Sequence, residues 1–125
     1  MIPRPLSIAI LDDQPPVRRA LRRLLGTHGH HVTLFEDGFS LLAASSSSQF
    51  DCILLDLHMP GLSGFDVLSS LAASGPHPPV LVITGKDQPG LAQRSASLGA
   101  AAYLLKPLDE SPLLAAIANC TASSR

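Results

Sequence analysis

Cys52-Ile-Leu-Leu-Asp-Leu-His-Met-Pro-Gly61 is the stretch that decides how this chain folds. Residues 52–55 are apolar and suit a strand, Asp56 ends the run, and Pro60 and Gly61 follow closely enough to stop its continuation. A lone carboxylate therefore stands at the exposed end of a buried strand. Other runs repeat the design: Leu6-Ser-Ile-Ala-Ile-Leu11 leads into Asp12 and Asp13, Val80-Leu-Val-Ile83 into Thr84 and Gly85, and Ala101-Ala-Tyr-Leu-Leu105 into Lys106 and Pro107. In an open parallel sheet every strand points the same way, so the carboxyl ends share one rim, where such sheets bind ligands. The pattern gathers three carboxylates, a hydroxyl and an ammonium into one crevice.

Between the apolar runs lie segments of helical periodicity, and that alternation predicts βα units on a parallel sheet, five of which fit the chain. Pro15 and Pro16 open a first helix, with Val17, Leu21, Leu24 and Leu25 on one face, Arg18, Arg19, Arg22 and Arg23 pointing outward, and Gly26 and Gly29 at its end. His31-Val-Thr-Leu-Phe35 reads as the second strand, and Asp37-Gly38 starts a helix through Phe39, Leu41 and Leu42. The serines at 45–48 read as a frayed helix end and loop. After Asp56 the turn Met59-Pro-Gly-Leu-Ser-Gly64 leads to a third helix with Ser63 as N-cap and Phe65, Leu68 and Leu71 on its buried face. Gly75-Pro-His-Pro-Pro79 breaks the chain before the fourth strand. A weaker helix is expected over about residues 88–98, with Leu91, Ala92, Ser95 and Leu98 on one side and Gly99 in its C-terminal turn. Asp109 caps a last helix containing Leu113, Leu114 and Ile117. Residues 121–125 read as an unstructured tail beyond a core of about residues 6–120.

A length of 125 residues suits one domain over 1–125, able to bury roughly two thirds of its unfolded surface. With 15% charged residues, a net charge of -1 and only a few scattered cations besides the arginines of the first helix, the chain carries no nucleic-acid footprint. No apolar stretch approaches the roughly 20 residues of a membrane helix, and Met1-Ile-Pro-Arg-Pro5 lacks a signal-peptide pattern. A cytoplasmic protein without membrane or direct nucleic-acid contact is expected. Cys52 and Cys120 match no zinc spacing and give no reason to expect a disulfide.

Asp12, Asp13 and Asp56 would repel one another in a partly buried crevice, and a divalent cation removes the conflict. Magnesium, with manganese as a substitute, takes oxygen ligands and commonly acts beside a phosphoryl group. A carboxylate such as Asp56 is also a nucleophile towards phosphorus. Lys106, Thr84 and backbone N–H groups after Asp56 suit the phosphoryl oxygens.

The acidic pair, D-L-H-M-P-G at Asp56, Thr84-Gly85 and Lys106-Pro107, in this order, resemble the receiver domain of two-component response regulators from about Leu6 to Ile117. The resemblance implies a flavodoxin-like, doubly wound α/β fold: a five-stranded parallel sheet, order 2-1-3-4-5, with five flanking helices. It implies Asp56 as phosphoacceptor from a sensor histidine kinase. It further implies metal binding by Asp13, Asp56 and the His58 backbone carbonyl, with Asp12 acting through water. Thr84 and Lys106 meet the phosphoryl group, Thr84 and Tyr103 form the switch, and a cis bond precedes Pro107. The surface of helix four, strand five and helix five, with Leu91, Arg94 and Tyr103, is the implied site of homodimerisation on phosphorylation. His58 and Lys86, each two residues beyond a site residue, are expected to flank the phosphoryl group and set its lifetime. The module is then a switch with slow self-dephosphorylation, not an enzyme acting on a small molecule. No output segment follows residue 120, which leaves a stand-alone regulator or a receiver cut from a longer protein; the wording resembles receivers attached to helix-turn-helix transcription factors.

Each piece alone has a plainer use. Asp-Asp after a strand also serves as N-cap and turn, Thr-Gly and Lys-Pro as turn chemistry, and Tyr103 as a strand residue packed on a helix. His28, His30 and His31 read as a solvated turn away from the rim. Asp56, His58 and Gly61 also spell the D-x-H-x-x-G signature of cobalamin-binding domains, but after the third strand and not the first, with no Gly-Gly pair downstream. A freely turning-over metal-dependent phosphatase would carry a second acid where His58 stands.

Overall fold

Valine, isoleucine and leucine dominate the central runs of the chain, and the two most uniformly apolar of these become strands buried along their whole length. The computed structural model describes residues 4–45, 49–59 and 61–122. Its elements alternate: β1 (Ser7–Leu11), α1 (Pro15–Thr27), β2 (His31–Phe35), α2 (Gly38–Ser45), β3 (Cys52–Asp56), α3 (Gly64–Ala73), β4 (Val80–Thr84), α4 (Leu91–Ser97), β5 (Ala102–Leu105) and α5 (Glu110–Ala122). All pairings are parallel and the strand order is β2-β1-β3-β4-β5. Every residue of β3 and β4 is buried, as expected of central strands covered on both faces.

Successive side chains point to opposite faces, so each strand serves two cores. Ile8, Ile10, Leu54, Leu81 and Ile83 pack with Leu21 and Leu25 of α1 and Leu113 and Ile117 of α5. Ala9, Leu11, Ile53, Leu55, Val80 and Val82 pack with Leu41 of α2 and Val67, Leu68 and Leu71 of α3. On this second face Arg94 of α4 lies over the Phe65 ring of α3, 4.0 Å from its centroid.

Several expected boundaries move. α1 continues through Gly26 to Thr27, and the reversal falls at Gly29, whose φ of 85° is one that residues with a Cβ rarely adopt. α4 begins at Leu91, not near 88, because Gly90 at φ 89° precedes it. Its inward face keeps Ser95, buried and bonded through Oγ to the Leu91 carbonyl, but Ala92 is exposed. Thr121 and Ala122, placed in a tail by the sequence, belong to α5, and Thr121 Oγ1 donates to the Ile117 carbonyl at 2.7 Å. Ser45 closes α2, while 46–48, Pro60 and 123–125 lie outside the described residues. His30 is half-buried, its Nδ1 accepting from the Leu6 N–H at 3.0 Å, and His31 is the exposed first residue of β2, so only His28 fits the expected solvated turn. No disulfide joins Cys52 and Cys120, although Cys120 packs against the core that holds Cys52; the neighbouring thiol and burial push the Cys52 thiol up, and the Cys120 thiol is held down. No helix among the described residues is long and apolar enough to cross a membrane.

The junction of β3 and α3 sets where Asp56 stands. Ser63 caps α3 with a reciprocal pair: its Oγ accepts from the Asp66 N–H at 3.3 Å, and its own N–H donates to Asp66 Oδ2 at 3.1 Å. Gly64 follows, pressed so close to β3 that a Cβ would lie 2.6 Å from the Asp56 carbonyl oxygen and 2.7 Å from Leu57 Cα. Those atoms are backbone and cannot swing aside. Ser63→Ala is therefore expected to cost about 1 kcal/mol, whereas Gly64→Ala costs more, about 1–3 kcal/mol. Urea unfolding of both variants compares them; a Gly64→Ala protein no less stable than Ser63→Ala would show that this junction yields.

Candidate functional site

Strand register alone assembles the rim. Leu11 pairs with Leu55, which sets Asp12, the next residue, level with Asp56 on β3. Asp56 pairs with Ile83, so Thr84 ends β4 one step further on. Thr84 pairs with Leu105, and the Lys106 N–H donates to the Thr84 carbonyl at 2.8 Å. The Lys106–Pro107 bond is cis.

Asp12 is fully buried, Asp56 is 3% exposed and Asp13 is half-buried. One oxygen from each lies within 4.8 Å of the others. Lys106 reaches into this cluster, with Nζ 2.7 Å from Asp12 Oδ2 and 3.5 Å from Asp56 Oδ2. Asp12 Oδ1 accepts from the Gln14 N–H at 2.8 Å, and Asp56 Oδ1 from the His58 N–H at 3.3 Å. Asp12 Oδ2 has no aligned hydrogen bond; its close contact with the Lys106 ammonium is an ion pair.

Three carboxylates thus face a single ammonium among the described residues near them. Burial first, then the neighbouring Asp12, pushes the Asp56 carboxyl above its ordinary range, while Lys106 and the His58 N–H pull the other way. A buried oxygen without a hydrogen bond, in an all-oxygen cluster short of positive charge, fits a hard divalent cation.

Around this cluster the remaining expected residues divide. Thr84 is buried on the same rim, its Oγ1 accepting from the Lys86 N–H at 3.1 Å. His58 and Lys86 have exposed side chains. Tyr103 is half-buried, and its hydroxyl donates to Asp87 Oδ1 at 2.8 Å; burial and then this bond push it up to about 12. The sequence reading did not include Gln14, whose Oε1 accepts from Lys106 Nζ at 3.2 Å, though its place beside the acidic pair was the available signal. Asp87 was also missed, since nothing local marks a loop carboxylate as a partner for residue 103. Arg18, expected to point outward, folds back over the crevice, with Nη1 2.5 Å from the Asp12 carbonyl oxygen.

The sequence profile described as Response regulator receiver domain matches residues 8–118. The chain belongs to this family. It is a receiver domain of two-component signalling. The transcriptional regulatory protein FixJ of Azorhizobium caulinodans is 37% identical over 116 residues, covering 93% of this chain and 55% of that protein. The transcriptional regulatory protein PcoR of Escherichia coli is 37% identical over 110 residues, covering 88% of this chain and 49% of that protein. This receiver chain therefore spans about half the length of such curated relatives. The crystal structure of FixJ-N has the same fold, with a TM-score of 0.90 at 26% identity over 98% of each chain. The cobalamin reading of Asp56, His58 and Gly61 is not favoured: its aspartate sits among Asp12, Asp13 and Lys106, and the family match is to receivers.

The electrostatics carry a pH consequence. A carboxyl raised in the folded state above its unfolded value opposes folding when ionised, and that opposition fades as pH falls through the folded value. Without divalent metal, Asp56→Asn is expected to be more stable than the wild type at about pH 7, with a gap that narrows on acidification. Urea unfolding in chelator across a pH series measures the gap, and an asparagine variant less stable at neutral pH would contradict the raised carboxyl.

Proposed function

We propose that residues 1–125 form one receiver domain that accepts a phosphoryl group on Asp56 from a phosphohistidine of a sensor kinase and changes its surface in response. The observation that carries this reading is the convergence of Asp12, Asp13 and Asp56 on Lys106 at the end of the central strand. In the transfer an Asp56 oxygen attacks phosphorus; a P–O bond forms, the P–N bond breaks, and the imidazole leaves and takes up a proton. Lys106 meets the phosphoryl oxygens with its ammonium and Thr84 with its hydroxyl, already placed on the same rim.

Asp13 and Asp56 through carboxylates, His58 through its backbone carbonyl and Asp12 through water would hold Mg2+, or Mn2+ in its place. Bound there, the cation supplies positive charge against the carboxylates and the phosphoryl oxygens. At a hundredfold excess over its dissociation constant such a ligand stabilises the fold by about 2.7 kcal/mol. Thr84 and Tyr103 act as the switch: if Thr84 moves towards the phosphoryl group the Lys86 N–H loses its acceptor, and if Tyr103 turns inward its bond to Asp87 breaks. The surface of α4, β5 and α5 then becomes the site of self-association, and Leu105, 48% exposed on β5, offers apolar area there. The module is a cytoplasmic switch with slow self-dephosphorylation.

Incubation with acetyl phosphate and Mg2+ is expected to add one phosphate by intact mass, lost in Asp56→Asn. Labelling that survives the substitution overturns the assignment.

Lys86 and His58 flank the rim with exposed side chains, and a lysine has donors but no acceptor with which to orient an attacking water. Lys86 is therefore expected to cover the phosphoryl group, so Lys86→Asn and Lys86→Glu should each shorten the phospho-Asp56 lifetime several-fold at fixed Mg2+. Unchanged or slower decay in both removes Lys86 from this role.

A further inference from the structure

Arg18 is the fourth residue of α1. Helical side chains lean towards the N-terminus of their helix, so a long one at this position reaches back over the turn that precedes it. The turn here is the acidic pair. The Arg18 side chain is 13% exposed, and its Nη1 donates to the Asp12 carbonyl oxygen at 2.5 Å while Nη2 lies 3.7 Å from Glu36 Oε2. The Asp12 N–H in turn donates to the carbonyl of Phe35 at 3.3 Å. Asp12, Phe35, Glu36 and Arg18 thus close a ring that holds both ends of Asp12 against the end of β2.

We propose that Arg18 is a positioning residue for the cation site: it fixes the Asp12 carbonyl and so presets the direction in which the Asp12 and Asp13 carboxylates leave the backbone. This rests on the Mg2+ reading of the crevice given above. The guanidinium bonds a carbonyl and not one of the three clustered carboxylates, so its effect is on geometry; as a charge alone, a cation beside the cluster would weaken Mg2+ binding. The two effects have opposite signs and can be told apart. Groups that orient metal ligands commonly cost ten- to a hundredfold in affinity when removed.

Calorimetric titration with Mg2+, repeated with Mn2+, on the wild type, Arg18→Lys, Arg18→Gln, Glu36→Gln and Asp13→Asn tests this. Binding is expected in the wild type and lost in Asp13→Asn. Arg18→Lys, which keeps the charge but cannot span both partners, and Arg18→Gln are each expected to raise the dissociation constant roughly tenfold. Glu36→Gln alters only a 76% exposed side chain and is expected to raise it less, in the same direction. Melting in chelator separates positioning from simple stabilisation: lower melting temperatures with unchanged dissociation constants overturn the proposal, as does tighter binding in Arg18→Gln with wild-type affinity in Arg18→Lys. If the wild type binds no cation, or Asp13→Asn binds as well as it does, the cation reading fails and this inference falls with it; wild-type binding with unaltered Arg18 variants sinks this inference alone.

Discussion

Repulsion among Asp12, Asp13 and Asp56 is the constraint around which the rim is organised. Two like charges about 4 Å apart at an effective dielectric constant near 20 repel by roughly 4 kcal/mol, and three are held within 4.8 Å here. Water cannot screen them well, because Asp12 is fully buried and Asp56 almost so. Lys106 offsets part of this, and backbone N–H groups from Gln14 and His58 offset more. Burial first, and then what remains of the repulsion from Asp12, keep the Asp56 carboxyl raised. A cluster of this kind persists only on a scaffold stable enough to impose it.

The scaffold meets that demand through the two central strands. β3 and β4 are buried at every position, so moving either along the sheet would carry apolar side chains out of both cores together. The register that protects the cores is the same register that sets Asp12 level with Asp56 and ends β4 at Thr84. Gly64 adds a second tie at the far side of Asp56, where only a residue without a Cβ lets α3 start against the strand. The strained chemistry is therefore carried by atoms that packing has already immobilised.

Much of this was legible in the sequence because strands report themselves strongly. Apolar runs such as Ile53-Leu-Leu55 and Leu81-Val-Ile83 have one use in a domain of this size, and the polar residue that ends each run must stand on the rim. Ser63 was legible for a similar reason, being the last polar residue before an apolar helix face. The rest depended on reach and contact. Helical periodicity assigned Arg18 to the solvent side by angle, but its length and backward lean take the guanidinium to the Asp12 carbonyl. The partnership of Tyr103 with Asp87, and of Cys52 with Cys120, joins residues from different elements, which no local pattern announces. α4 fell short of its expected length because Gly90 interrupts a segment poor in large apolar residues, and α5 ran past residue 120 because Thr121 bonds back to Ile117.

Between Thr84 and Tyr103 the chain is connected by a short yoke. The Lys86 N–H holds the Thr84 hydroxyl oxygen, and the very next residue, Asp87, holds the Tyr103 hydroxyl. One bond is made by the Lys86 backbone N–H and the other by the Asp87 side chain, so the links to the crevice and to the outer strand β5 sit on consecutive residues of one loop. The spacing of this segment is then a quantity in its own right. A single inserted residue between 86 and 87 would leave both ends chemically intact and yet lengthen the link between them.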